Sequence, residues 1–171
     1  MRRVKLSLAC SLDQYIAPPD QAIDWIRMDA DYGMAEFFRS IDTMLLGRKT
    51  YDFALSHGGK FFPGIRTFVF TSNPMPDAGP WVKFIAEDPI AFTRALKKKK
   101  SDKDIWLFGG HALASALFAA DLVDEIRITL HPILLGGGTP LFGHLRKRQI
   151  WTLEEAKPFD NGVVLLRYSR A

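Results

Sequence analysis

The residues best equipped for chemistry stand where apolar runs give way to helix-forming ones. At Phe108-Gly109-Gly110-His111 a fully apolar segment meets two glycines and then a helical stretch, so backbone without side chains is delivered to a helix N-terminus. Free amide N–H groups and the positive end of the helix dipole bind phosphate at such a junction. The same glycine pair would also serve close packing of a helix on a sheet. At Gly47-Arg48-Lys49-Thr50 a second junction sets two cations and a hydroxyl beside another helix start. A guanidinium bonds two oxygens of a phosphate monoester at once; a solvated helix terminus is the plainer alternative. Thr71-Ser72-Asn73 directly follows a short apolar run, and open α/β sheets bind ligands at such strand ends, although an ordinary polar turn has the same composition. Three such ends in one small domain point together to a phosphate-bearing small molecule.

Those junctions need strands to present them. Val4, Leu6, Leu8 and Cys10 alternate with polar or small neighbours, which predicts a first strand ending near Asp13; Pro18 and Pro19 then force a loop. Met34, Phe37, Phe38 and Ile41 form the stripe of a helix over 30–41. A short strand over 43–46 runs into Gly47, a helix covers 49–55, and Gly58, Gly59, Pro63 and Gly64 mark a loop. Strands are expected over 67–70, 81–85, 105–108 and 123–130. Helices are expected over 89–97, with Glu87 and Asp88 at its start and Lys97 at its end, and after Gly110, with Leu113, Leu117 and Ala120 on one face. Two closing strands flank Asp160-Asn161-Gly162, a hairpin signal. The three glycines within residues 132–142 turn a corner or approach a substrate phosphate. The resulting fold class is α/β, a mostly parallel central sheet flanked by helices on both faces with an antiparallel C-terminal hairpin.

The composition fits this plan. With 171 residues, 47% hydrophobic and 25% charged, the chain reads as one soluble globular domain spanning 1–171. One cysteine, Cys10, and four histidines leave no internal disulfide and no zinc-ligand spacing, so no metal is expected. The net charge of +4 favours anionic ligands without requiring nucleic acid. Arg94 and residues 97–100 are basic but lack interleaved aromatics, which fits a solvated face better than a nucleic-acid surface. No apolar run approaches the roughly 20 residues of a membrane span. The stretch after Arg2, Arg3 and Lys5 is too short for a secretion signal. A cytoplasmic protein without membrane or nucleic-acid partners is therefore expected.

Taken in order, MLLGRKTYD at residues 44–52, Pro63 to Arg66 before a strand ending at Thr71 and Ser72, and Trp106 to Gly110 before a helix resemble the dihydrofolate reductase fold. Ser11-Leu12-Asp13, Ile16-Ala17, DLVDE at 121–125 and PILLGGGTPLF at 132–142 are similar to the reductase domain of bifunctional riboflavin-biosynthesis deaminase-reductases and their stand-alone relatives. The resemblance spans nearly the whole chain. It implies NADPH as hydride donor. Arg48 would hold the 2′-phosphate with help from Ser72, while Thr50, the Gly109-Gly110 backbone and the helix start at His111, Ala112 and Leu113 would hold the diphosphate. Gly47 and Thr71 are expected to contact the same cofactor. Ala9 and Ile16 would flank the nicotinamide. Two positions depart from the pattern: His111 replaces a small residue and either touches phosphate or faces solvent, and Gln14 replaces a glycine after the Leu-Asp pair.

Reduction of a C=N bond also needs a proton, which a partly buried carboxylate of raised pKa can keep at neutral pH. Asp31 is the candidate, because it precedes Gly47 by a spacing similar to that of the pterin-binding carboxylate in dihydrofolate reductases. Asp29 and Asp31 equally suit a helix N-terminus, and Glu36 is an alternative acid. Trp25 and Phe38 could stack on a flat heterocycle, although Phe38 also fits the helix's core stripe. The resulting expectation is an NADPH-dependent reductase of a pyrimidine- or pterin-like substrate. It would resemble the 5-amino-6-(5-phosphoribosylamino)uracil reductase of riboflavin biosynthesis and form a homodimer. Dihydrofolate reductase activity and a non-catalytic nucleotide-binding protein are the alternatives. The chain carries no His/Cys set for the zinc deaminase half.

Overall fold

We obtained a computed structural model that describes residues 1–58, 62–73, 76, 78–143, 145 and 147–171. Its elements run in the order β1 (Val4–Ser11), β2 (Tyr15–Ala17), α1 (Met34–Arg39), β3 (Ile41–Gly47), α2 (Arg48–Ser56), β4 (Arg66–Phe70), β5 (Val82–Ile85), α3 (Pro89–Lys98), β6 (Asp104–Gly109), α4 (His111–Ala119), β7 (Glu125–His131), β8 (Thr139–Pro140), β9 (Trp151–Pro158) and β10 (Val164–Arg170). Eight strands form one sheet in the order β5-β4-β3-β6-β1-β7-β10-β9. From β5 to β7 neighbours are parallel, and β10 runs antiparallel to both β7 and β9. This is the dihydrofolate reductase-like arrangement that the resemblance implies. At the hairpin tip Gly162 takes φ +84° and donates its N–H to Phe159 O at 2.9 Å, the role Asn-Gly is suited to.

Side-chain alternation along the strands builds two cores. Met44, Leu46, Val69, Val82 and Trp106 face Phe37 of α1 and Tyr51 of α2. Leu45, Val4, Leu6, Ile105, Leu107, Ile126 and Ile128 face Leu96 of α3 and Leu113, Leu117 and Phe118 of α4. Parallel strands covered on both faces carry near-continuous apolar runs, which is why β6 and the middle of β3 read so plainly in the sequence.

Four expectations need correction. The helix over 30–41 is only α1, because Tyr32 (φ +48°) and Gly33 (φ +75°) hold left-handed backbone that blocks extension toward residue 30, and Ile41 already pairs with Asp104 in the sheet. The pair β2–β8 falls in stretches expected to be loop. Lys97 is no part of a solvated basic face: it is buried and donates to Leu122 O at 3.3 Å and Asp124 Oδ2 at 2.5 Å. The strand expected over 123–130 begins at Glu125 and runs to His131. Gly59, one of the expected loop markers, lies outside the described residues.

At the amino ends of the strands several polar groups are engaged in structure. Arg2, buried, donates to Asp42, to Thr43 Oγ1 at 2.9 Å and to the carbonyls of Lys103 and Asp104. Available backbone donors lie at the opposite end.

Candidate active site

The carboxyl ends of β3 and β6 arrive side by side, since the two strands are parallel neighbours, and each runs directly into a helix of nine residues. Neither Gly47 before α2 nor Gly110 before α4 supplies a side-chain cap. In α4 the first amide to find an intrahelical acceptor is Ala114 N, bonded to Gly110 O at 2.9 Å. The N–H groups of His111, Ala112 and Leu113 therefore form the open donor end of the helix. The side chains differ in fate: Leu113 is buried in the core and Ala112 is exposed.

Glycine is needed here for two measurable reasons. Gly110 has φ +98°, disfavoured for any residue with a Cβ. A Cβ on it would stand 3.3 Å from both Gly47 N and Thr50 Oγ1. A Cβ on Gly109 would meet Thr50 Cγ2 at 3.7 Å. Gly47, Thr50, Gly109 and Gly110 are thus brought to one point, with two helix starts and a hydroxyl around it. This cradle suits an anion of diphosphate type.

Arg48 is the first residue of α2. Its Nε donates to both carboxylate oxygens of Asp52 at 2.8 Å, and its guanidinium lies 5.6 Å from the Phe84 ring centroid. Phe84 belongs to β5, two strands from β3, so Arg48 leans along the carboxyl edge toward the β4 end. There Thr71 Oγ1 accepts the Asn73 N–H at 3.2 Å, and Thr71 N–H donates to Ile85 O. Ser72 is exposed in the bend beyond.

On the other side of the cradle, β1 carries Ala9 opposite Thr129 of β7. Ile16 sits in β2, half-buried against the α3/α4-side core. β2 is strapped to β8 by Tyr15–Pro140 and Ala17–Thr139 pairing. Asp13 secures the strap: it accepts from Ser11 Oγ at 2.5 Å and from Leu135 N–H and Gly136 N–H at 3.1 and 2.8 Å. The Ser11 hydroxyl first, then those amides, hold its carboxyl below the usual carboxylate range. Gly138 (φ +120°) lies so close that a Cβ would overlap the Ala17 carbonyl oxygen and stand 2.8 Å from Pro18 Cα. Both departures from the family pattern now have a place. Gln14 adopts φ +64°, the left-handed backbone that a glycine there would take. The His111 ring hydrogen-bonds through Nδ1 to Pro140 O at 2.9 Å, tying the start of α4 to β8.

The remaining site candidates lie on the face covered by α1. Phe38 is half-buried, 4.7 Å from Phe62 and 5.5 Å from Trp106 between ring centroids. Trp25 is buried, donates its indole N–H to Ala22 O at 3.1 Å and meets His131 edge-on at 5.5 Å. Asp31 is exposed, and Oδ1 accepts the Ala35 N–H at 3.0 Å; it is a cap for the first turn of α1 rather than the partly buried acid the proton-donor expectation calls for. Sequence reasoning missed His131, the Gly138 contact and the Asp29–Tyr32–Asn161 hydrogen-bond cluster. Of these, only the glycine triplet gave any signal.

The profile of the RibD C-terminal domain matches residues 66–165. The chain belongs to the RibD C-terminal domain family. Across almost its full length it is similar to two uncharacterised proteins of Bacillus subtilis (strain 168): YwjB, 36% identical with 99% of each chain covered, and YyaP, 33% identical with 98% of this chain and 94% of that one. Among solved structures it is similar to a candidate riboflavin biosynthesis protein from Shewanella sp. PV-4, at TM-score 0.85 and 25% identity over 100% and 99% of the two chains. The Thermotoga maritima diaminohydroxyphosphoribosylaminopyrimidine deaminase/5-amino-6-(5-phosphoribosylamino)uracil reductase shares the fold, at TM-score 0.74 and 18% identity; this chain spans 57% of that longer one. No helix among the described residues is long and apolar enough to cross a membrane.

Proposed function

We propose that this chain is an NADPH-dependent reductase of a pyrimidine- or pterin-like heterocycle, one catalytic domain over residues 1–171, working in the cytoplasm as a homodimer. The observation that carries the reading is the cradle at the ends of β3 and β6. There a Cβ on Gly110 would crowd Gly47 N and Thr50 Oγ1 at 3.3 Å, directly before the open N-terminus of α4. Bound there, NADPH would supply a hydride. This chain's residues would bind and orient: Thr50, Gly47, Gly109 and Gly110 with the 111–113 amides on the diphosphate, Arg48 with Thr71 and Ser72 on the 2′-phosphate, and Ala9 and Ile16 against the nicotinamide.

The heterocycle would lie between α1 and the carboxyl half of β1, with Phe38 and Trp25 as its aromatic walls. Asp31 caps α1 in this reading, and the proton for the reduced centre comes from solvent. Family membership supports the reductase class, and the names of the Shewanella and Thermotoga proteins favour the aminopyrimidine branch over folate. The test is oxidation of NADPH by the purified chain against a panel of aminopyrimidines and pterins. Turnover with a member of the panel is expected; NADPH binding without turnover on any heterocycle would replace the enzyme by a nucleotide-binding protein. Sedimentation at micromolar concentration checks the dimer.

A further inference from the structure

Among the described residues, one buried polar atom without a hydrogen-bond partner stands on the proposed heterocycle's side of the sheet: Nε2 of His131. The residue is 1% exposed. Its Nδ1 accepts the Arg27 N–H at 3.2 Å, which requires a lone pair at Nδ1 and so puts the proton of the neutral ring on Nε2. Burial, and after it the Arg27 charge, pushes the imidazole below its ordinary value, so the neutral ring is the form present at pH 7. The result is a fixed N–H donor with no acceptor, an arrangement that folded proteins rarely keep without a use.

The register places this donor next to the site. Ala9 pairs with Thr129, and Ser11 with His131, so alternation sends these four side chains to the same face. That is the α1 face, because Arg127, two residues before Thr129, lies 5.3 Å from the Phe37 ring of α1. The imidazole is covered by Trp25, edge-on at 5.5 Å, and by Tyr32 at 6.2 Å. Both belong to residues 18–33, which contain no helix or strand. An aromatic ring is a weak acceptor compared with oxygen.

We propose that His131 is a specificity-determining residue that donates Nε2–H to a carbonyl oxygen of the bound heterocycle once Trp25 shifts from its edge contact. The proposal rests on the reductase reading for the presence of a heterocycle. It selects among heterocycles: a ring carbonyl accepts from His131, whereas an amino group at the same position presents a second donor and is rejected.

The test compares 5,6-diaminouracil with 2,4,5,6-tetraaminopyrimidine, in which amino groups replace the carbonyls, binding to the NADPH-loaded protein. Wild type should prefer the uracil by about tenfold or more. His131→Phe should lose that preference with NADPH affinity unchanged, and His131→Gln, which keeps a donor, should recover part of it. A readout independent of any variant is the ¹⁵N resonance of His131 Nε2 in the wild type, which should shift when 5,6-diaminouracil is added. If NADPH and both probes bind but His131→Phe keeps the preference, or the ¹⁵N resonance stays put at saturation, the donor serves only an ordered water and the proposal is overturned. If wild type binds neither NADPH nor a probe, the reductase reading falls first and this proposal with it.

Discussion

Arg48 is held in place by Asp52, one helical turn along α2, and rests over Phe84. That pose turns a flexible cation into an oriented one at the carboxyl edge. A charge-assisted contact to a phosphate contributes about 1.5–3 kcal/mol. Arg48→Ala is therefore expected to weaken NADPH binding at least about tenfold while changing NADH binding little; equal losses in parallel titrations would remove Arg48 from the 2′-phosphate. Gly110 tests the diphosphate end. Gly110→Ala forces a Cβ into φ +98° and to 3.3 Å from Gly47 N, backbone that cannot swing away. We expect a stability loss of about 1–3 kcal/mol and coenzyme binding reduced beyond what the lower melting temperature explains. A variant that binds NADPH like wild type would refute the cradle. Cys10, by contrast, is buried with its thiol pushed up to about 12 by burial and then by Asp13, and it offers no reactive sulfur.

At the scale of elements, β2 and β8 form a strap whose hold depends on Gly138. Its Cβ-free backbone lets the chain pass against the Ala17 carbonyl, and Leu141 N–H reaches Gln14 O at 2.8 Å. Gly138→Ala should separate the two strands, speed amide exchange at Leu141 and weaken coenzyme binding several-fold through Ile16, with only a modest fall in global stability. Unchanged exchange at Leu141 would contradict this. The strap also shows where sequence reading stops. β3, β4 and β6 were legible because strands buried on both faces are largely apolar, β1 because its apolar residues alternate with polar or small ones, and the Gly47 and Gly109-Gly110 junctions because glycine there has a backbone cause. The pairing of a three-residue strand with a two-residue one has no periodicity to read. It depends on Asp13 reaching residues 135 and 136 across more than a hundred positions of chain. In α1 the stripe of Met34, Phe37 and Phe38 was sound, but the left-handed turn at Tyr32 and Gly33 that shortens the helix leaves no signature in it. His131 was invisible for a different reason: a histidine in an apolar strand resembles any core residue until register places it beside Ser11 and Ala9.

For the molecule as a whole, the sheet divides its polar chemistry between its two ends. The amino edge is closed by Arg2, Asp42 and Thr43, while donors at the carboxyl edge stay open. One consequence appears in stability against pH. His131 is held below the ordinary imidazole value of about 6.5, chiefly by burial, so the folded chain keeps it neutral while the unfolded chain takes up a proton. Stability should therefore fall as pH drops below about 6.5, with no contribution from this group above it. His131→Gln should flatten that slope in thermal denaturation, and an unaltered slope would refute the assignment. Asp13, Asp29 and Asp121, held below the usual carboxylate range by hydrogen bonds, act lower, from about pH 4 downward. Binding of NADPH at the carboxyl edge is tested most directly by titration of the wild-type chain with NADPH and NADH, read by quenching of its four tryptophans and energy transfer to the nicotinamide. Saturable binding with NADPH preferred is expected; absence of binding at high micromolar coenzyme, or equal affinity for both, would contradict the proposed coenzyme site.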